Sequence, residues 1–82
     1  MKKEIIHILK EKLVNDILKQ PGLDIKEDEP LISSGLIDSF SLVDVSLFVE
    51  DTFNVLIDDT ELTSDTFDTL DELADLILSR QE

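Results

Sequence analysis

Ser39-Phe40-Ser41-Leu42-Val43-Asp44-Val45-Ser46-Leu47-Phe48-Val49-Glu50-Asp51-Thr52-Phe53 is a run of apolar and acidic residues without Gly or Pro, long enough for about four helical turns. On a wheel of roughly 100° per residue, Leu42, Val45, Val49 and Phe53 fall on one side with Ser46 close by, which makes a core face. Phe40, Val43 and Leu47 gather on the opposite side among Asp44, Glu50 and Asp51, so the helix carries two apolar stripes. One helix of a small bundle rarely buries both. The second stripe is what a docking surface for a basic partner needs, because carboxylates steer the encounter and a short apolar row supplies desolvated contact. The competing reading is that the long segment before Ser39 folds over the stripe.

Working outward, Lys2 to Lys19 repeats Ile5, Ile6, Leu9, Leu13, Val14, Ile17 and Leu18 at three- and four-residue steps, the period of one helix face, and Pro21-Gly22 is the expected end. Residues 22–37 have no clear period and contain Pro30 and Gly35, so they form a long connection. Loops of about 15 residues are rare in compact domains unless they serve a purpose. After Asn54, Asp58-Asp59-Thr60-Glu61 offers an Asp cap with Glu three residues on, the start of a short helix through about Leu62. Thr69-Leu70-Asp71-Glu72 fits a capping box, and Leu70, Leu73, Ala74, Leu76 and Ile77 continue a stripe to about Ser79. The best strand candidate, Asn54-Val55-Leu56-Ile57-Asp58, is short and has no partner segment. The expected fold is an all-α four-helix bundle, three longer helices plus a short third one, with a long loop between the first two.

The 82 residues suffice for a single domain spanning 1–82 with one modest core, and leave little chain for a separate catalytic cleft. Seven Lys+Arg against twenty Asp+Glu give a net charge of −13, which repels nucleic acid and anionic membranes and favours partners with basic patches. With no Cys and one His, His7, neither a disulfide framework nor a thiolate metal site nor a hydrolytic triad can be assembled. Asp58, Asp59, Glu61 and Asp65 cluster, yet lack the spacing of a calcium loop and read as a solvated acidic face, so no metal site is expected. No apolar run approaches the roughly 20 residues that span a bilayer, and the N-terminal charges are too interleaved for a signal peptide. The expectation is a complete, discrete, monomeric protein of the cytoplasm, without membrane insertion.

Ser39 stands at the start of the informative helix, directly after Asp38. Either residue suits an N-cap. A helix N-terminus also tolerates a phosphate ester, because unpaired N–H groups and the positive dipole end face it. Ser33, Ser34 and Ser41 carry equivalent hydroxyls without that combination of position and neighbour. A serine hydrolase would need a base and an oxyanion hole beside Ser39, and the sequence supplies neither, so no catalytic residue is assigned.

Gly35-Leu36-Ile37-Asp38-Ser39-Phe40, followed by an acidic helix ending Phe48-Val49-Glu50-Asp51-Thr52-Phe53, resembles the acyl carrier protein family over essentially the whole chain. The family's Asp-Ser-Leu motif is represented by Asp38-Ser39-Phe40. The resemblance implies that Ser39 receives 4′-phosphopantetheine from coenzyme A through a phosphopantetheinyl transferase acting with Mg²⁺, with Asp38 in a supporting role. It also maps the family's recognition surface onto Phe40, Val43, Asp44, Leu47, Glu50 and Asp51, the stripe already isolated on the wheel. It further implies that an acyl chain can shelter in the bundle beside Leu42, Val49, Phe53 and Leu62. Phe40, Ser41 and Leu36-Ile37 depart from the housekeeping pattern, and Gly-Leu-Ile-Asp-Ser is closer to specialised, D-alanyl or peptidyl carriers.

The function so implied is a non-enzymatic shuttle that holds acyl intermediates of fatty-acid, polyketide or related biosynthesis as thioesters. Its partners would be the transferase, an acyl- or aminoacyl-loading ligase, and synthases or transferases with basic docking patches. The first alternative is an aminoacyl, D-alanyl or peptidyl carrier of the same fold. A more remote one is an acidic helical adaptor that uses the outer stripe and carries no thioester.

Overall fold

The computed structural model describes residues 2–20 and 22–81, the side chain of Asp59 excepted. Three α-helices carry the core: α1 (Lys2–Lys12), α2 (Ser39–Phe53) and α3 (Leu70–Arg80). No strand occurs among the described residues. Ile5, Ile6 and Leu9 of α1, Leu42, Val45 and Val49 of α2, and Leu70, Leu73, Ala74 and Ile77 of α3 are all buried in one contiguous cluster. No polar or charged side chain is buried with them among the described residues, so burial of apolar area alone drives the assembly. Lys2 fastens α1 to α3 by ion pairs to Asp71 at 2.7 Å and Asp75 at 3.0 Å.

The first helix does not run uniformly to Pro21. At Leu13–Ile17 it widens into one π-helical turn, closed by the Leu18 N–H donating to the Leu13 carbonyl at 2.7 Å. Lys19 then takes a left-handed conformation, φ 55°, and the Gln20 N–H donates back to the Val14 carbonyl at 2.7 Å. The helix has therefore ended by Lys19, before the expected Pro21-Gly22 stop; Pro21 itself lies outside the described residues. The wider turn changes what the element touches: the α-helical part packs on α3, whereas the π turn meets α2.

The long connection is pinned rather than free. Ile25, Leu31 and Ile37 insert into the core at 1%, 0% and 3% exposure. The Leu31 N–H donates to the Asp68 carbonyl at 2.6 Å and the Asp71 N–H to the Glu27 carbonyl at 3.1 Å, which ties the loop to the start of α3. Gly35 turns the chain at φ +82°; open space surrounds it, so a side chain there would cost backbone strain rather than a clash.

After α2, Asn54 adopts φ 59° and its N–H bonds the Glu50 carbonyl, a left-handed helix stop. Val55 and Ile57 turn inward while Leu56 between them is 69% exposed, so the strand-like alternation anchors a single crossing segment. In the place of the expected short helix stands one 3-10 turn, Asp59–Glu61. The Asp58 N–H donates to the Glu61 carboxylate at 3.0 Å, the expected cap pair, but residues 64–66 turn away before a full α-helical turn can follow. Arg80 closes this corner by donating to the Leu56 carbonyl at 3.1 Å and to both carboxylate oxygens of Glu61.

Candidate functional site

Asp38 is the N-cap of α2. Its backbone is extended, φ −87° and ψ 175°, and its Oδ1 accepts the Ser41 N–H at 2.8 Å. That amide, with the Ser41 hydroxyl second, holds the Asp38 carboxyl below its ordinary range. Ser39 is thereby the first residue of the helix rather than its cap. Its side chain is exposed and its hydroxyl has no hydrogen-bond partner among the described residues.

The neighbouring serines are placed differently. Ser33 donates its hydroxyl to Asp68 Oδ2 at 2.5 Å, and the Ile32 and Ser33 N–H groups donate to Asp68 Oδ1 at 2.7 and 2.9 Å. Ser34 donates to the Pro30 carbonyl at 2.7 Å. The Ser33 hydroxyl foremost, with the Ser33 and Ile32 N–H groups, draws the Asp68 carboxyl below its ordinary range, and these bonds hold the segment that leads into Ser39. Asp68 had no signal in the sequence, because its partners lie 35 and 36 residues away.

A hydroxyl free of intramolecular bonds, at the dipole-positive end of a fifteen-residue helix, fits a phosphodiester: the neighbouring backbone field favours the anion and no side-chain bond has to break. His7 is 73% exposed and 3.7 Å from Glu11, on α1, and offers Ser39 no base. Of the acidic cluster after α2, Glu61 is committed to Arg80, which with the Asp58 N–H lowers its pKa to about 2, and the Asp59 side chain lies outside the described residues.

The outer stripe of α2 is open. Phe40 is 84%, Val43 46% and Leu47 58% exposed, and the long loop does not cover them. The structure divides the six residues read as a recognition surface. Asp44, Leu47, Glu50 and Asp51 gather around a groove of about 760 Å³ on the C-terminal half of α2, while Phe40 and Val43 lie outside it toward Ser39. The opposite wall is formed by Lys12 at the end of α1 and by Asp16 and Ile17 of the π turn, and Phe48 also lines it; none of these four was read as part of the recognition surface, Ile17 being assigned to the core stripe of the first helix. Phe48 could have been found, since Asp44, Leu47, Phe48 and Asp51 share an i, i+3, i+4, i+7 stripe. The residues expected to line an acyl shelter divide likewise: Leu42 and Val49 are core, at 3% and 0% exposure, and Phe53 and Leu62 are half-buried against it.

Two comparisons bear on this arrangement. A family model described as the phosphopantetheine attachment site matches residues 11–77. The chain is also 35% identical over 69 residues to the D-alanyl carrier protein of Bacillus subtilis (strain 168), an alignment covering 83% of this chain and 81% of that protein.

Proposed function

The chain belongs to the family of phosphopantetheine-bearing carrier proteins, and from that premise we propose that it carries an aminoacyl group, D-alanine, as a thioester on an arm attached to Ser39. The cofactor is covalently bound 4′-phosphopantetheine. When bound, the arm supplies a terminal thiol that holds a carboxylic acid in activated form. The observation that carries the placement is the state of Ser39: exposed, unbonded, and first in the helix that Asp38 caps. Asp38 fixes the helix start, so the hydroxyl is presented to a transferase at one position rather than along a fraying end. The chain's role is presentation, and the chemistry on the cargo belongs to its partners.

The cargo reading is supported by the relative that carries D-alanine and by Gly35-Leu36-Ile37-Asp38-Ser39, the wording that departs from fatty-acid carriers. Docking is assigned to Phe40, Val43, Asp44, Leu47, Glu50 and Asp51, whose exposure suits contact with a basic partner. The test has two steps. Incubation of the apo chain with coenzyme A and a promiscuous phosphopantetheinyl transferase adds one phosphopantetheine mass, and Ser39→Ala abolishes it. The holo chain is then offered to a D-alanine-activating ligase and, separately, to a fatty-acyl ligase. Charging with the fatty acid alone would reverse the cargo assignment and leave the attachment standing, whereas no adduct with several transferases would remove both.

A further inference from the structure

The groove between the π turn and α2 carries charges that its own chain leaves unanswered. Between Glu27 and Ser79 the chain has fifteen Asp and Glu and no Lys, Arg or His, so any cation that reaches α2 comes from another part of the fold or from another molecule. Lys12 is the cation that lines the groove. Its Nζ pairs with Asp16 at 2.7 Å and stands 5.3 Å from the centroid of the Phe48 ring. The carboxylates of Asp44, Glu50 and Asp51 have no ion-pair or hydrogen-bond partner among the described residues, in contrast to those of Asp16, Asp24, Glu61, Asp71 and Asp75, which are all paired. Between these carboxylates lie the exposed Leu47 and the half-buried Ile17 and Phe48.

Resting on the carrier reading, we propose that recognition extends beyond α2: the partner seats an apolar side chain over Phe48, between Leu47 and Ile17, and sets Arg or Lys side chains against Asp16, Asp44, Glu50 and Asp51. Lys12 is a resident competitor in this groove. It already occupies the Phe48 ring and neutralises Asp16, so it weakens the site for an incoming cation. The π turn, with Lys12 directly before it, makes the second wall, since Leu13–Ile17 packs against α2. Charge selects the occupant: a second copy of a chain of net charge −13, a nucleic acid or an anionic bilayer would be repelled, whereas a basic protein segment gains both attraction and apolar contact.

The probe is a synthetic amphipathic helical peptide of about sixteen residues presenting one Leu flanked by Arg at i−4 and i+3, titrated into the isotope-labelled chain by NMR. Amide shifts should cluster at Asp16, Ile17, Leu47 and Phe48. Asp16→Arg should weaken binding about tenfold and Lys12→Gln should tighten it about threefold. Opposite signs from two members of one ion pair are the signature; a merely structural pair would move both variants the same way. Shifts spread over all acidic segments, equal binding of a Leu→Ala peptide, or variants changing in one direction would overturn the proposal. So would a dimeric free chain that Asp16→Arg dissociates, because the occupant would then be a second copy. Modification of Ser39 reports separately: failure of the adduct defeats the carrier reading while peptide binding stands, and failure of the sign pattern defeats the groove while the adduct stands.

Discussion

The starts of α2 and α3 are built from the same parts and used in opposite ways. Each has an oxygen-bearing cap in extended conformation, Asp38 accepting the Ser41 N–H and Thr69 accepting the Glu72 N–H at 3.1 Å. At α3 the remaining groups are also committed. Glu72 accepts the Asp68 N–H at 2.8 Å, the Asp68 carboxylate holds the loop before Ser39, and the first helical residue, Leu70, is 0% exposed. At α2 the residues after the cap are an unbonded hydroxyl, Ser39, and an aromatic ring left 84% in water, Phe40. One start is consumed by folding and the other is kept free by it. Cap chemistry places a helix, and it is the unspent groups beside the cap that mark where another molecule acts.

The sharpest way to separate the two starts is by truncation. Leu70→Ala removes a fully enclosed side chain and should cost about 2–5 kcal/mol, a large share of the stability of a domain this size. Phe40→Ala should change the unfolding free energy from urea titration by no more than about 0.5 kcal/mol, while weakening productive contact with the loading ligase. A destabilised Phe40→Ala would mean that the ring is packed in solution, and the comparison would fail.

Next in size is the cap itself. Thr69→Ala should lose about 1 kcal/mol by urea unfolding. Asp68→Ala tests the tether that α2 lacks: protection of the Ile32 and Ser33 amides against hydrogen exchange should drop about tenfold while that of Leu42 stays put. Equal loss at Leu42 would show that the loop and α2 open together.

Acid probes the same bonds. Asp38 and Asp68 are shifted down by the donors they accept, and Glu61 reaches about 2, chiefly through Arg80. A carboxyl whose folded pKa lies below its unfolded one contributes stability above the unfolded value, and this contribution disappears as pH falls through the folded one. The Glu61 contribution should therefore decline as pH falls from its ordinary value of 4.5 to about 2, with those of Asp38 and Asp68 lost as pH falls below the ordinary Asp range, and Glu61→Gln should flatten that limb in a circular-dichroism titration. Relief of the net negative charge works in the opposite direction over the same range, so the variant difference is the measurement that isolates the pair. Smallest of all, Ser39→Ala should leave the unfolding free energy from urea titration unchanged within about 0.5 kcal/mol, since its hydroxyl holds nothing.

How much of this was legible depended on distance along the chain. The Thr69-Glu72 pair and the inward face of α2 follow from neighbours three and four residues apart, and the structure has them where local chemistry put them. Between Asp38 and Ser39 the sequence left the cap open, because both residue types cap well; the Ser41 bond distinguishes them. The box at α3 is offset by one, with Glu72 reaching Asp68 rather than Thr69. The Asp68 tether and the groove wall at Asp16 and Ile17 depend on contacts between segments that no local pattern encodes. The π turn was hidden for a different reason: Leu13, Val14, Ile17 and Leu18 satisfy an α-helical period, so nothing in their spacing announces a wider ring.

That turn has a consequence for how the chain could vary in length. A single π turn is a helix with one residue too many for its rise. Removing one exposed residue there, Asn15 for example, would let the first helix close into regular α form, with Ile5, Ile6 and Leu9 still on α3. With the surplus residue gone, an α turn covers the same rotation with one residue fewer, so Asp16 and Ile17 would keep their face toward α2. A chain one residue shorter would keep both its interior and the second wall of its groove. The turn thus gives the first helix a place where its length could change by one residue while the surface it shows to α2 stays the same.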